Sequence, residues 1–431
     1  MSDSQHCSGS LPNDSWQLDL ANGMGNLSQD GKGLGKVADD PSKAGKEGGG
    51  QTSFALTLSV GNSHSRSEAK QTSLTHRGSQ LTAGGDLILL ARGDNDSAHG
   101  NLQIAGSQLQ AGGHLTLDAK RNLQLQAVTD ETRLDSKQDG QAGQIGVFLG
   151  TKDGASGFGI YGEASKQQGR EKGNSDTQIN SHLSAGQTLS LKSGGDTTLS
   201  GAVAKGQRIE ADIGGNLTLQ SLQDRDDYRN QQLSGGISGA VAIYGSGGGM
   251  SANVQFARTQ GQYHAVEEQT ALKAGTGGFD LQVGKHTQLN GGLISSEADP
   301  SRNRLSTGSL GWEDIQNQSR FQSISGGASM SMGSGGGSFK ATIAPPVNKQ
   351  DAGRTQTAVA AGQIEIRDAD KQTQPLAELR RDTTDTAGQV KRYDRAKMAE
   401  QQEMARLIGE QGFKAIGDLS KQMGWQDGSP Q

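Results

Sequence analysis

A few short stretches hold residue types that can do chemistry. Gly157-Phe-Gly-Ile-Tyr-Gly162 has the spacing of a dinucleotide fingerprint, in which glycines bring a strand-to-helix turn onto a pyrophosphate. That device needs a helix after the turn, and here a second strand follows. Alternate glycines in a hairpin arm are therefore the expectation. Gly33-Leu-Gly35-Lys-Val-Ala38 is weaker still, because no strand precedes it. Asp224-Arg-Asp-Asp227 offers carboxylates to a cation but lacks the glycine turn and distal glutamate of a calcium loop, which leaves a solvated junction between elements. Arg92-Gly93-Asp94 could be offered to a receptor. A coil corner ending in Gly-Asp, as Gly195-Asp196 also does, accounts for it more simply.

The histidines (His6, His64, His76, His99, His114, His182, His264 and His286) stand singly, with no pair at i, i+4, so no zinc site is expected. Cys7 is the only cysteine, which excludes an intramolecular disulfide and a thiolate metal cluster. No nucleophile elbow of the form G-x-S-x-G is present. No catalytic residue, cofactor or metal is expected, and hence no enzyme.

The elements that would position any site announce themselves by repetition. Gly78-Ser-Gln-Leu-Thr-Ala-Gly-Gly-Asp-Leu-Ile-Leu-Leu-Ala recurs as Gly106-Ser-Gln-Leu-Gln-Ala-Gly-Gly-His-Leu-Thr-Leu-Asp-Ala, so that Leu109 repeats Leu81. Each copy is a short alternating strand behind a Gly-Gly corner, the grammar of one solenoid coil. The same wording returns at Leu183 and again at Ile209, and then near Leu272, Gln288 and Val359. Composition agrees: 31% hydrophobic and 4% aromatic residues with 66 glycines suit the thin aliphatic core of stacked coils, not a thick globular one. A net charge of −5, well mixed, gives no basic stripe and sets nucleic acid aside as a partner. No run approaches the roughly 18 apolar residues of a spanning helix, and residues 1–50 are too polar for a signal peptide.

Between the coils lie glycine-rich amphipathic pairs near 140–169, 234–264 and 318–343, whose arms centre near Val147, Val241 and Ala328, at intervals of 241 − 147 = 94 and 328 − 241 = 87. These predict hairpins inserted in the coil stack, around the turn Lys152-Asp-Gly-Ala-Ser in the first case. The expected organisation is a flexible N-terminus and partial hairpin over 1–71, a β-helix of roughly eight turns over 72–382, and a helical tail over 383–431. In the tail Met404, Ile408, Ala415, Leu419 and Met423 share a face of a helix from about Tyr393 to Met423. The apolar hairpin residues Val147, Phe148, Leu149, Ile160, Tyr161, Val241, Ile243, Tyr244 and Phe256 are the candidates for contact with a surface. They either insert into or pair at that surface, or cover the side of the solenoid.

Leu183-Ser-Ala-Gly-Gln-Thr-Leu-Ser-Leu-Lys-Ser-Gly-Gly-Asp, Gly214-Gly-Asn-Leu-Thr-Leu-Gln-Ser-Leu-Gln-Asp and Asn303-Arg-Leu-Ser-Thr-Gly-Ser-Leu-Gly-Trp-Glu-Asp closely resemble the second haemagglutinin-repeat region of filamentous-haemagglutinin proteins, above all the contact-dependent growth-inhibition branch. The resemblance covers about Thr72 to Asp382. It implies an all-β, right-handed parallel β-helix that is exported through an outer-membrane two-partner-secretion transporter and displayed on, or secreted from, a Gram-negative cell. It further implies a meeting with the outer membrane or a receptor of a neighbouring cell during toxin delivery. A secretion leader, a Val-Glu-Asn-Asn boundary and a toxin segment are not read in these residues, so a fragment of a longer exoprotein is expected. A passive spacer and, more remotely, a β-helical enzyme acting on glycans are the alternative readings.

Overall fold

The computed structural model describes residues 2–21, 55–93, 99–334 and 336–394. The helix expected from about Tyr393 to Met423 falls outside them except for its first two positions.

The Leu-x-Leu segments become short strands whose alternate residues point inward. Gln80–Ala83, Leu87–Ala91 and Leu102–Ala105 make one circuit, and Gln108–Ala111, Leu115–Ala119 and Leu123–Gln126 make the next. Corresponding strands pair in parallel, Leu81 with Leu109, Leu87 with Leu115 and Leu102 with Leu123. The repeated phrase is thus one coil. Later coils visit the same three ladders in the same order, with Ser181–Ser193 serving two ladders and Thr197–Ser200 the third. Parallel ladders entered in fixed rotation form a β-helix-like stack.

Ile209 stacks on Leu189, and Leu183 lies beside Ala204. Ile209 belongs to the second strand of its coil, as Leu189, Leu115 and Leu87 do, whereas Leu183, Leu109 and Leu81 belong to the first.

The core is a thin column of aliphatic side chains: Leu115, Leu123, Leu189, Leu199, Leu217 and Leu289 are fully buried. Burying each is worth roughly 1.5–3 kcal/mol. Two corner devices keep the coils in step. At one corner an amide or carboxylate oxygen takes the backbone N–H of the next coil: Asn101 from Asn122 (3.2 Å), Asn122 from Asp196 (2.9 Å), Asp196 from Asn216 (2.7 Å) and Asn216 from His286 (3.2 Å). At another, glycines lie on glycines; a Cβ on Gly186 would fall 2.1 Å from the Gly112 carbonyl oxygen, and one on Gly112 would fall 2.2 Å from that of Gly84. No larger residue fits that approach.

The inserted segments form a separate antiparallel sheet. Val128–Lys152 and Ala155–Ile179 pair along their whole length around a turn in which Asp153 and Gly154 both have positive φ, 47° and 79°. An Asp-Gly pair with those angles is the tight hairpin turn whose twist matches its strands. Asp224–Ala265 folds back on itself: its first part pairs with Ala155–Ile179 and its last with Ile315–Gly333. Ser238 and Ser251, 13 residues apart, bring their hydroxyls to 2.8 Å, whereas extended chain would hold them about 44 Å apart. Gly336–Ile343 and Val347–Thr355 complete that edge. At the other edge Ala55–Leu74 pairs with Ser2–Ala21, so residues expected to be flexible supply a full strand. That arm lacks the alternation that marks a strand in sequence; neighbouring backbone, not pattern, recruits it.

Candidate contact surface

The hairpins pair with one another edge to edge, and their alternation sorts apolar side chains onto one face. Leu58 lies opposite Val147, Val147 opposite Ile160, and Ile160 opposite Val241. One rung below, Val60 faces Ile145; further across, Met250 faces Met332 and Met330 faces Phe339. The rungs form a continuous apolar field across the distal part of the sheet, and it is open to water: Ile160, Val241 and Met332 are all about half exposed or more. A face of this extent left in solvent is a candidate interaction surface.

The face has a floor. Gly162 lies opposite both Ile145 and Gly239, so two adjacent positions contribute no side chain. The result is an open groove of about 1010 Å³ walled by Val60 and Ile145 on one side and Met250 and Met332 on the other.

The structure divides the residues that sequence had grouped. Val147, Leu149, Ile160, Val241 and Phe256 lie on the apolar face. Phe148 and Tyr161 point the other way and are 1% and 6% exposed, packed with Ala155 and Ala240. Neighbours i and i+1 on a strand cannot share a face. Ile243 and Tyr244 sit at the fold-back of their hairpin, exposed, where the pairing slips by a residue and sets Tyr244 opposite Phe158. Leu58, Ile237, Met250, Met332 and Phe339 belong to the face and were not among the candidate contact residues. Leu56, Leu58 and Val60 alternate in the sequence, but nothing in that alternation specifies which neighbour the strand joins.

Around Phe148 and Tyr161 the opposite face carries small residues, among them Ser59, Gly146, Gly159, Ser238 and Ser251. Beside Tyr161 the Glu163 carboxylate takes the Lys152 ammonium at 2.6 Å and the Gln144 amide at 2.9 Å. Burial disfavours the charged form of Glu163, but Lys152 and Gln144 outweigh it and hold the carboxyl below its usual range. Lys152 also lies 4.3 Å over the Tyr161 ring.

Where the hairpins leave the coils, Asp224 to Asp227 serve structure. Asp224 accepts the Gln178 N–H at 2.8 Å, and burial pushes its carboxyl up. Asp226 pairs with Arg392 at 3.3 Å, and Asp227 lies 3.4 Å from His264. The segment carrying Arg392 straps this base: Tyr393 donates to the Asp226 carbonyl at 3.0 Å and packs on Phe321 with ring centres 5.6 Å apart. Tyr263, which donates to Glu267, has its phenol pushed up by burial and by that carboxylate. Arg92 of the receptor-like tripeptide is held by Asp118 of the next coil at 2.8 Å, and Asp94 lies outside the described residues. Gly157 to Gly162 fall inside the strand Ala155–Ile179, with no helix to receive a pyrophosphate.

Comparison with known proteins fits this architecture. Residues 60–235 match the haemagglutinin repeat family. A deoxyribonuclease CdiA of Yersinia pseudotuberculosis is 39% identical over 390 residues, 87% of this chain and 36% of that protein. A toxin CdiA of Yersinia pestis is 38% identical over 389 residues, 87% of this chain and 11% of its own length, and a 16S rRNA endonuclease CdiA of Enterobacter cloacae is 35% identical over 398 residues, 90% and 12%. The chain therefore spans only about a third to a tenth of the curated relatives it matches. No solved structure matches it. Residues 60–235 are haemagglutinin repeats, in a chain of the filamentous-haemagglutinin and CdiA type.

Proposed function

We propose that this chain is the non-enzymatic contact module of a surface adhesin or contact-dependent growth-inhibition protein, exported by two-partner secretion from a Gram-negative cell, and that its hairpin sheet meets the envelope of a neighbouring cell. The observation that carries the reading is the apolar face, continuous over Leu58, Val147, Ile160 and Val241 and open to water. A passive spacer gains nothing from leaving such a face exposed. The relatives support the absence of catalysis here: one is named for cutting DNA and another for cutting 16S rRNA, yet both match the same stretch at similar identity, so their different activities belong elsewhere in those chains.

The test is binding of the purified chain to washed Gram-negative cells. Wild type should bind, and Ile160→Asp/Val241→Asp, with two carboxylates on the exposed face, should lose at least tenfold in bound protein while its circular dichroism stays that of a β protein. Absence of wild-type binding, or undiminished binding by the variant, overturns the reading.

A further inference from the structure

We infer that the partner of this face is an anionic lipid surface, whose phosphates are taken by a belt of cations bordering the apolar rungs; the inference rests on the contact reading above. Below the apolar field, on the same side of the sheet, the strands change character. Lys137 lies eight residues from Ile145 and Arg170 ten from Ile160, both even separations, so their side chains share the apolar face. Lys137 and Arg170 are direct cross-strand partners, and one rung further Lys172 faces Arg229. Lys166 stands opposite Gly235, beside the apolar rungs, and Arg258 follows Phe256 by two residues on the same face.

Like charges directly opposite each other across antiparallel strands are destabilising. Here the repulsion is left standing. Among the described residues neither Lys137 nor Arg170 has a carboxylate in ion-pair range, because the nearby acids are engaged elsewhere: Glu68, across from Lys137, with Arg66 at 3.5 Å, Asp135 with Lys172 at 3.5 Å, and Asp139 with the Gln168 amide at 3.3 Å. Lys137, Lys166, Arg170, Arg229 and Arg258 are all exposed. A phosphate placed between Lys137 and Arg170 would turn their repulsion into two charge-assisted hydrogen bonds.

The placement selects a lipid over a free anion. Along the strand Lys166 lies six residues from Ile160, about 20 Å, so a surface that buries the apolar rungs brings its charged layer to the belt. A soluble phosphate would satisfy the cations and leave the apolar field in water. An amphiphile with acyl chains and an anionic headgroup satisfies both at once.

The experiment measures partition of the whole chain onto phosphatidylcholine vesicles with and without phosphatidylglycerol. The anionic vesicles should bind at least tenfold more protein, and the excess should disappear in molar salt, where screening is complete within a few ångströms. Lys137→Gln and Arg170→Gln should each cost roughly fivefold on anionic vesicles and nothing on phosphatidylcholine. Lys137→Arg/Arg170→Lys should keep the preference, and inorganic phosphate should compete no better than chloride at equal ionic strength. Equal binding to both vesicles, or an undiminished preference in the glutamine variants, overturns the belt and leaves envelope contact intact. Binding to washed cells without binding to either vesicle overturns the lipid and points to a protein or glycan receptor. Failure on cells and vesicles alike overturns both this inference and the contact reading.

Discussion

Asp224 shows how a single buried carboxylate at a hairpin base acts on the whole chain. Burial lifts its pKa above the ordinary 3.8 against the pull of the Gln178 hydrogen bond and of Arg392, with Glu267 adding to the rise. A carboxyl that holds its proton more firmly when folded contributes stability in full below the unfolded value, and loses it as pH rises through the raised folded one. At neutral pH the charged form is therefore a net cost. Asp224→Asn keeps an oxygen for the Gln178 N–H and should raise Tm at pH 7 by about 2 °C. The gain should vanish below the ordinary carboxylate range, and a gain that persists in acid would disprove the burial argument. At this scale sequence was least informative about side. Val147-Phe-Leu reads as one apolar run, and only its partners show that Phe148 turns inward. A clue was present in the alternate glycines: Gly157 and Gly159 mark the tight face, where a Cβ on Gly159 would lie 2.5 Å from the Phe148 ring.

The coils were the most legible elements, because a phrase written twice in nearly the same words leaves little freedom in how Leu81 and Leu109 stack. The hairpins were legible at their tips and hidden at their bases. Their apolar tips alternate, but the strands run on from Val128 and to Ile179 through residues polar on both faces, which carry no period-two signal. Glycine placement in the coil corners makes a prediction at this scale. Gly186→Ala drives a methyl group toward the Gly112 carbonyl and should cost about 1–3 kcal/mol in chemical denaturation. Gly84, at the matching corner of the first described coil, has nothing within 4 Å of its missing Cβ. Gly84→Ala should be neutral or slightly stabilising, and equal costs at the two positions would count against corner stacking.

The whole molecule is two assemblies sharing one chain, a stack whose coils touch only their neighbours and a sheet built from its insertions. In such a stack protection is set by the number of covering coils. Leu81 is 42% exposed where its counterparts Leu109 and Leu183 are 5% and 1%. Amide exchange should therefore be fastest in 80–91 and slowest in 183–219, and a uniform rate along the ladders would contradict the stacking. The order of the sheet was beyond reach of sequence, since it depends on which hairpins meet after whole coils of intervening chain.

Each hairpin leaves and re-enters the stack at almost the same point. The Ser181 hydroxyl touches the Gln126 carbonyl at 2.7 Å although the whole excursion from Val128 to Ile179 separates them, and Leu123 pairs with Thr197 as though nothing intervened. The hairpin is thus a separable insertion in the coil path. Because it brings one outgoing and one returning strand, deleting 128–179 would set Ala55–Leu74 against the first arm of Asp224–Ala265 with strand polarity still alternating. Adding or removing such an excursion would widen or narrow the apolar face by two strands while leaving the coil ladders paired as they are.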